Sequence, residues 1–541
     1  MIRRPSPLLA GLLLLLAISL LPPALAAESP AQTYQVAMSD GVTLATDVHL
    51  GQGQGPWPVL LMRTPYGRKM KAEAGSYATV IQDVRGRGES GGYARPFFDD
   101  GWGEHRDGLD TAKWILAQPW CNGKIGTMGG SALGITQALL AGTAPPGVAA
   151  QHIVVGTGSM YHDAVYPGGV FGESLMAGWL KATGWPTDNL ALILAHPSYD
   201  DLWAATDATR RIPALRVSIP ALHLGGWYDI FTQGTIDSFV SRSRLAPNQW
   251  LIMGPWPHGI KRRVGELDFP PNALKIPRPG TDTNFWFDYW LRGVDNGLRA
   301  LPRVQYYVMG ACGERGAPGN EWRSADSWPI PARPTPFFLS GGHQLAARLP
   351  APASLAYDYD PAHPVPTRGG RNLLIPAGPF DQQVLERRPD VLVFTTPRLY
   401  QPLEVTGRVM VRLWAASTAR DTTFMAKLCD VYPDGRSLLI ADGAIRAACR
   451  RSRSRPEPLE PGRPYQLTID LGSTSLILNR GHRLRVDISS SNAPRFAVHP
   501  NVWGEGSPQV AHQTVYLGPD HPSLVLLPVV PQQWAPATRR R

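Results

Sequence analysis

The sequence predicts an α/β domain with an inserted, mostly helical cap, followed by an all-β domain of sandwich or jelly-roll type. Three observations predict it. Short, continuous apolar runs alternate with helix-like stretches from Tyr34 to about Gly254. A long aromatic-rich segment interrupts that alternation, and after Phe337 the pattern becomes a strict alternation of apolar and polar residues. Continuous Val, Leu and Ile runs suit strands buried on both faces of a parallel sheet, whereas alternation suits antiparallel strands with one wet face.

The chain of 541 residues opens on Arg3 and Arg4, an apolar run over 8–21 and the small-residue segment Ala24-Leu25-Ala26. This order of charge, apolar run and cleavage site predicts a signal peptide over 1–26 and export to the periplasm or medium. The run falls short of the roughly 20 residues that span a bilayer and ends in Pro22-Pro23, so no stable membrane insertion is expected after cleavage. The remaining roughly 515 residues are too many for one core and predict two or three domains.

In the first domain, placed at 34–335, strands are read at 58–62, 78–84, 152–156, 220–226 and 249–254. Leu109, Ala112, Ile115 and Leu116 fall at helical spacing, and a further helix continues over 136–140. The segment at about 157–218 holds Tyr161, Tyr166, Phe171, Trp179, Trp185 and Trp203. It is too long for a loop and reads as the cap. A stretch rich in Pro, Trp and Ser over 321–336 leads to the second domain, 336–531. There Val409, Val411 and Leu413 alternate with Arg408, Met410 and Arg412, and Leu484, Val486 and Ile488 with Arg483, Arg485 and Asp487. Turns such as Pro433-Asp434-Gly435 separate the runs.

The formal charge of +10 reads as solvated surface, because the arginines are dispersed and form no nucleic-acid motif. Cys121, Cys312, Cys429 and Cys449 lie far apart without C-x-x-C spacing, which predicts no metal site and leaves their pairing open. No cofactor fingerprint is present. Asp83 to Gly92 is glycine-rich and charged but matches neither a P-loop nor a dinucleotide motif, and reads as a shaped turn. Asp288 and the pair Asp99-Asp100 read as solvated surface.

Gly129-Gly130-Ser131-Ala132-Leu133-Gly134 sits between a β-run and a helix, close to the G-x-S-x-G nucleophile elbow but with one residue more before the last glycine. Alone it is equally a helix-capping serine. Downstream, Asp229 follows a strand end in Gly225-Gly226-Trp227-Tyr228-Asp229, and His258 follows another in Gly254-Pro255-Trp256-Pro257-His258. The order Ser, acid, His, each beyond a strand end, is that of an α/β-hydrolase. It predicts Ser131 as nucleophile, His258 as general base and Asp229 as the carboxylate that orients the imidazole.

Together with Arg63-Thr64-Pro65-Tyr66, Asp83-Val84-Arg85-Gly86-Arg87-Gly88-Glu89-Ser90-Gly91-Gly92, Trp120-Cys121-Asn122-Gly123-Lys124-Ile125-Gly126 and Ser489-Ser490-Ser491-Asn492-Ala493-Pro494-Arg495-Phe496, these motifs cover nearly the whole mature chain. They resemble the cocaine esterase and X-Pro dipeptidyl-peptidase family, which includes α-amino acid ester hydrolases and glutaryl acylases. The resemblance implies an oxyanion hole from the Tyr66 hydroxyl and the backbone N–H of Ala132, two donors aimed where negative charge develops. At Ala132 the chain departs from the family, whose members usually carry tyrosine there. The activity implied is hydrolysis of an ester or amide of a small molecule or short peptide through an acyl-enzyme. X-Pro dipeptidyl-peptidase, α-amino acid ester hydrolase or acylase activity, and acyl transfer to an amine, stay open within that chemistry. A catalytically inert binding protein using the β domain is the alternative of another class. The oligomeric state, a homo-oligomer included, is not specified.

Overall fold

A computed structural model describes residues 31–70 and 75–531, so the signal segment over 1–26 lies outside the described residues. The first domain is built on a ten-stranded sheet. Its leading strands are β1 (Ala31–Ala37), β2 (Thr43–His49), β3 (Trp57–Thr64), β4 (Ala78–Asp83), β5 (Cys121–Gly130), β6 (Val148–Val154), β7 (Ala221–Gly226) and β8 (Gln249–Gly254). They lie in the order β1-β2-β4-β3-β5-β6-β7-β8, and the strands Val304–Val308 and Glu321–Ala325 close the far edge. From β4 to Val304–Val308 every pairing is parallel, whereas both edges are antiparallel. The first five residues of the Pro-, Trp- and Ser-rich stretch at 321–336 pair with Val304–Val308 as an edge strand.

Between β6 and β7 the chain forms the cap, with helices Glu173–Ala182, Asp188–Ala195, Asp201–Ala204 and Ala208–Ala214. Its aromatics Tyr161, Tyr166, Trp179, Trp185 and Trp203 pack with Ala132, Ile135 and Leu139 of the helix that follows β5. Burial of such rings, about 1.5–3 kcal/mol each, holds the cap onto that helix.

The second domain consists of a seven-stranded and a four-stranded antiparallel sheet. Val409, Val411 and Leu413 are fully buried while Arg408 and Arg412 face out, as the alternation predicts. The alternation at 483–488 is matched only in part, because Arg483 and Arg485 are half-buried and Asp487 is buried as well. It lies across the ladder from Lys427, itself buried and donating to Gln382. Among the described residues no helix is long and apolar enough to cross a membrane, and all four cysteines are free.

Asp99 and Asp100, read from sequence as surface, are buried at 5% and 3% exposure. The reason is a counter-charge from elsewhere in the chain: Arg63, near the end of β3, donates to Asp100 at 2.5 Å and to Gln82 at 2.8 Å. Asp99 has no such partner at Oδ2. Burial, and then repulsion from Asp100 and Asp107, holds its carboxyl up to about 6, against the opposing pull of His105 and Arg85. A raised carboxyl favours the fold when protonated, so its contribution is fully present below pH ~4 and is lost as pH rises through ~6. Asp99→Asn is therefore expected to stabilise the protein by about 1–3 kcal/mol at pH 7.5 and to have almost no effect at pH 4. Melting curves at the two pH values check this, and an equal shift at both contradicts it.

Asp288 is likewise engaged, accepting from the Tyr77 hydroxyl and from Arg292.

Candidate active site

β5 runs into Ser131, whose φ of 58° lies in the left-handed region that side chains other than glycine rarely adopt. Such a residue costs on the order of 1–3 kcal/mol and persists where its surroundings impose it. Here the Ser131 N–H donates to Val154 O at 3.0 Å. Gly134 lets the helix descend onto the next strand, since a Cβ there would stand 3.1 Å from Gly156 Cα. The helix, Ala132–Ala141, opens directly at Ala132, earlier than the run at 136–140 suggests. Ser131 makes no side-chain cap hydrogen bond, so the capping alternative does not describe it. Its Oγ is turned elsewhere.

β7 ends at Gly226, and the turn beyond it folds back so that Trp227 N–H donates to Gly254 O and Tyr228 N–H to Trp256 O. These bonds join the two strand ends that carry Asp229 and His258. Asp229 is fully buried. One of its oxygens accepts from Phe231 N–H at 2.7 Å, and the other accepts from His258 Nδ1 at 2.5 Å. Because a carboxylate only accepts, Nδ1 carries the imidazole proton and Nε2 is left as the acceptor. Nε2 faces Ser131 Oγ at 2.8 Å. The structure thus brings Ser131, His258 and Asp229 into one hydrogen-bonded chain, a geometry able to remove the serine proton.

Tyr66 lies just beyond β3, its N–H donating to Thr64 Oγ1 at 3.0 Å. Burial raises its phenol above the usual value, with hydrogen bonding from Trp179 and Ser131 opposing the shift. It therefore stays protonated and can donate. Trp179 Nε1 donates to the phenol oxygen at 3.2 Å, which leaves the phenol's own proton for another acceptor. Sequence reasoning counts Trp179 among the cap aromatics and misses this contact, because the two residues are 113 apart. Ala132, adjacent to Ser131, offers the first N–H of its helix, one of the donors that helix geometry leaves unpaired.

These groups open onto a cleft whose walls include Val154, Val155, Leu224, Trp256, Ile260 and Leu373. Among the described residues that line it, the ionisable groups are His258 and the Tyr66 phenol. Leu373 comes from the second domain. Two residues earlier, buried Arg371 donates to the backbone oxygens of Trp227 at 3.2 Å, Leu471 at 2.7 Å and Ser473 at 2.7 Å. Burial lowers its pKa to about 10, and its hold on Trp227 ties the second domain to the turn that carries Asp229. Among the described residues the grouping with metal-ligand spacing is Glu386, Cys429 and Asp487 in the second domain. There Arg485 pairs with Glu386, and Lys427 stands across the ladder from Asp487.

Comparison with known proteins adds the following. The family model for X-Pro dipeptidyl-peptidase (S15 family) matches residues 40–189 and 186–260, and that for the X-Pro dipeptidyl-peptidase C-terminal non-catalytic domain matches 296–526. Cocaine esterase of Rhodococcus sp. (strain MB1 Bresler) is 33% identical over 581 residues, covering 93% of this chain and 99% of its own. Two solved structures share the fold. An aminopeptidase from a marine sediment archaeon, Thaumarchaeota archaeon, has a TM-score of 0.79 at 22% identity, covering 94% of this chain and 98% of its own. An α-amino acid ester hydrolase has a TM-score of 0.77 at 24% identity with the same coverage of both chains.

Proposed function

This chain belongs to the cocaine esterase and X-Pro dipeptidyl-peptidase family of serine hydrolases, and from that premise we propose that it cleaves esters or amides of uncharged acyl groups through an acyl-enzyme on Ser131. The observation that carries the reading is the chain Asp229–His258–Ser131, ending on a strained serine at the floor of an apolar cleft.

In the proposed reaction His258 Nε2 takes the Ser131 proton as Oγ attacks the substrate carbonyl. Asp229 keeps the imidazole in the tautomer that can accept, and stabilises the imidazolium that forms. The Tyr66 hydroxyl and the Ala132 N–H meet the oxygen where negative charge develops. His258 then protonates the leaving alcohol or amine. The acyl group leaves when water, activated by the same imidazole, repeats the sequence. An amine could take the place of water, and the same residues would then perform acyl transfer.

The apolar cleft favours an ester or acyl-amide over a peptide with a free N-terminus. An ammonium group brought beside Val154, Leu224 and Leu373 would lose its hydration without gaining a carboxylate from the described lining residues. Simple aryl esters are therefore expected to turn over faster, in kcat/KM, than an Ala-Pro anilide. Faster cleavage of the anilide would overturn this choice of substrate while leaving the serine chemistry in place.

A further inference from the structure

The glycine-rich turn after β4 has no part in the chemistry above, yet it aims one side chain at the segment that carries Tyr66. The turn is tightly built. Gly88, at φ 57°, passes so close to Asp83 that a Cβ would stand 2.1 Å from its carboxylate. Ser90 Oγ donates to Asp83 O at 2.8 Å and accepts from Ala45 N–H at 2.9 Å. Arg87 is held between these fixed points.

Its guanidinium spends its donors on backbone carbonyls of two separate segments. Nε donates to Pro65 O at 3.1 Å, the peptide directly before Tyr66. Nη1 donates to Gly184 O at 2.9 Å and Nη2 to Thr183 O at 2.5 Å. Thr183 caps the C-terminus of the cap helix Glu173–Ala182. Gly184 there takes a left-handed φ of 68°, Trp185 N–H donates to Leu180 O, and Gly184 N–H to Lys181 O. This is a Schellman ending, whose remaining carbonyls and partial negative charge suit a cation. Arg87 supplies it, with its Cζ 4.7 Å from the Trp185 ring centroid. Among the described residues it forms no ion pair within 4.0 Å, and its hydrogen bonds go to these carbonyls.

The same helix carries Trp179, whose indole donates to the Tyr66 oxygen. We propose that Arg87 is a positioning residue for the oxyanion tyrosine, bracing the backbone before Tyr66 against the end of the helix whose Trp179 holds the phenol. The phenol is thereby located from both sides, by its backbone through Arg87 and by its oxygen through Trp179. The inference rests on the reading of Tyr66 as oxyanion donor. Displacement of such a group by ~1 Å can cost on the order of a hundredfold in rate without a change in substrate binding.

The test is a double-mutant cycle on a nitrophenyl ester with Arg87→Met and Tyr66→Phe. Tyr66→Phe alone should lower kcat about 10²–10³-fold. Arg87→Met should lower kcat roughly 10–100-fold with KM within about twofold, and Arg87→Lys, which keeps one cationic donor, should recover part of that loss. In the Tyr66→Phe background Arg87→Met should cost less than about threefold, because its route of action is already gone. The proposal is overturned if the full loss recurs in that background, if KM rises while kcat holds, or if Arg87→Met has no effect although Tyr66→Phe does. Should Arg87→Met fail to fold, Arg87→Lys runs through the same cycle. If Tyr66→Phe itself keeps full rate, the oxyanion assignment fails instead.

Discussion

Ser131→Ala is expected to lower kcat for a nitrophenyl ester by about a millionfold, to the level of the residual polar environment, while the protein melts close to the wild-type temperature. The two halves of that result come from the same geometry. Ser131 Oγ is bonded to His258 Nε2 at 2.8 Å and makes no cap bond to its helix, so its removal takes away the attacking atom and little that holds the fold. The backbone bond from Ser131 N–H to Val154 O does not depend on the side chain. Circular dichroism and a melting curve, beside a rate measurement sensitive enough to see background hydrolysis, check both halves. Undiminished turnover in the variant removes Ser131 from the mechanism.

Asp229→Asn is expected to cost about 10⁴-fold in kcat, for an electronic reason. Asp229 is fully buried and accepts from His258 Nδ1 at 2.5 Å and from Phe231 N–H at 2.7 Å. An asparagine of the same shape can keep its oxygen on the Phe231 N–H, and it then presents an NH₂ group to Nδ1. The imidazole must answer with a lone pair there, which moves its proton to Nε2, facing Ser131. In that tautomer His258 cannot accept the serine proton, and the imidazolium has no carboxylate beside it. KM should change little, since the side chain does not line the cleft. A loss below about tenfold in kcat would show that Asp229 does not control the His258 proton.

Much of this site was legible in the chain because strand ends are punctuated locally. The apolar run at 249–254 coincides with β8, the run at 220–226 with β7 to within one residue, and Asp229 and His258 follow each of them by three or four positions. Order along the chain then pairs them with Ser131, and the family resemblance implies Tyr66. What the chain could not show depends on contacts between distant segments. Trp179 is one apolar ring among several in the cap until the fold sets its indole against Tyr66. Asp99 and Asp100 look like surface because an adjacent acidic pair is usually solvated, while their buried surroundings, and for Asp100 the partner Arg63, arrive from elsewhere in the fold. Leu373 reaches the cleft from the second domain because Arg371 anchors that loop on the oxygen of Trp227. Arg87 reads as one charge in a glycine-rich turn until its three carbonyl partners come together.

A Ser131 nucleophile activated by His258 is reached most directly by covalent labelling. A fluorophosphonate probe reacts with a serine only where a base removes its proton and a polar pocket receives the phosphoryl oxygen. Peptide mass spectrometry of the labelled full-length protein should find a single adduct on Ser131, absent from the Ser131→Ala variant and formed far more slowly in Asp229→Asn. Absence of an adduct from the folded wild-type protein, or an adduct on a different serine that survives in Ser131→Ala, would show that Ser131 is not the activated nucleophile.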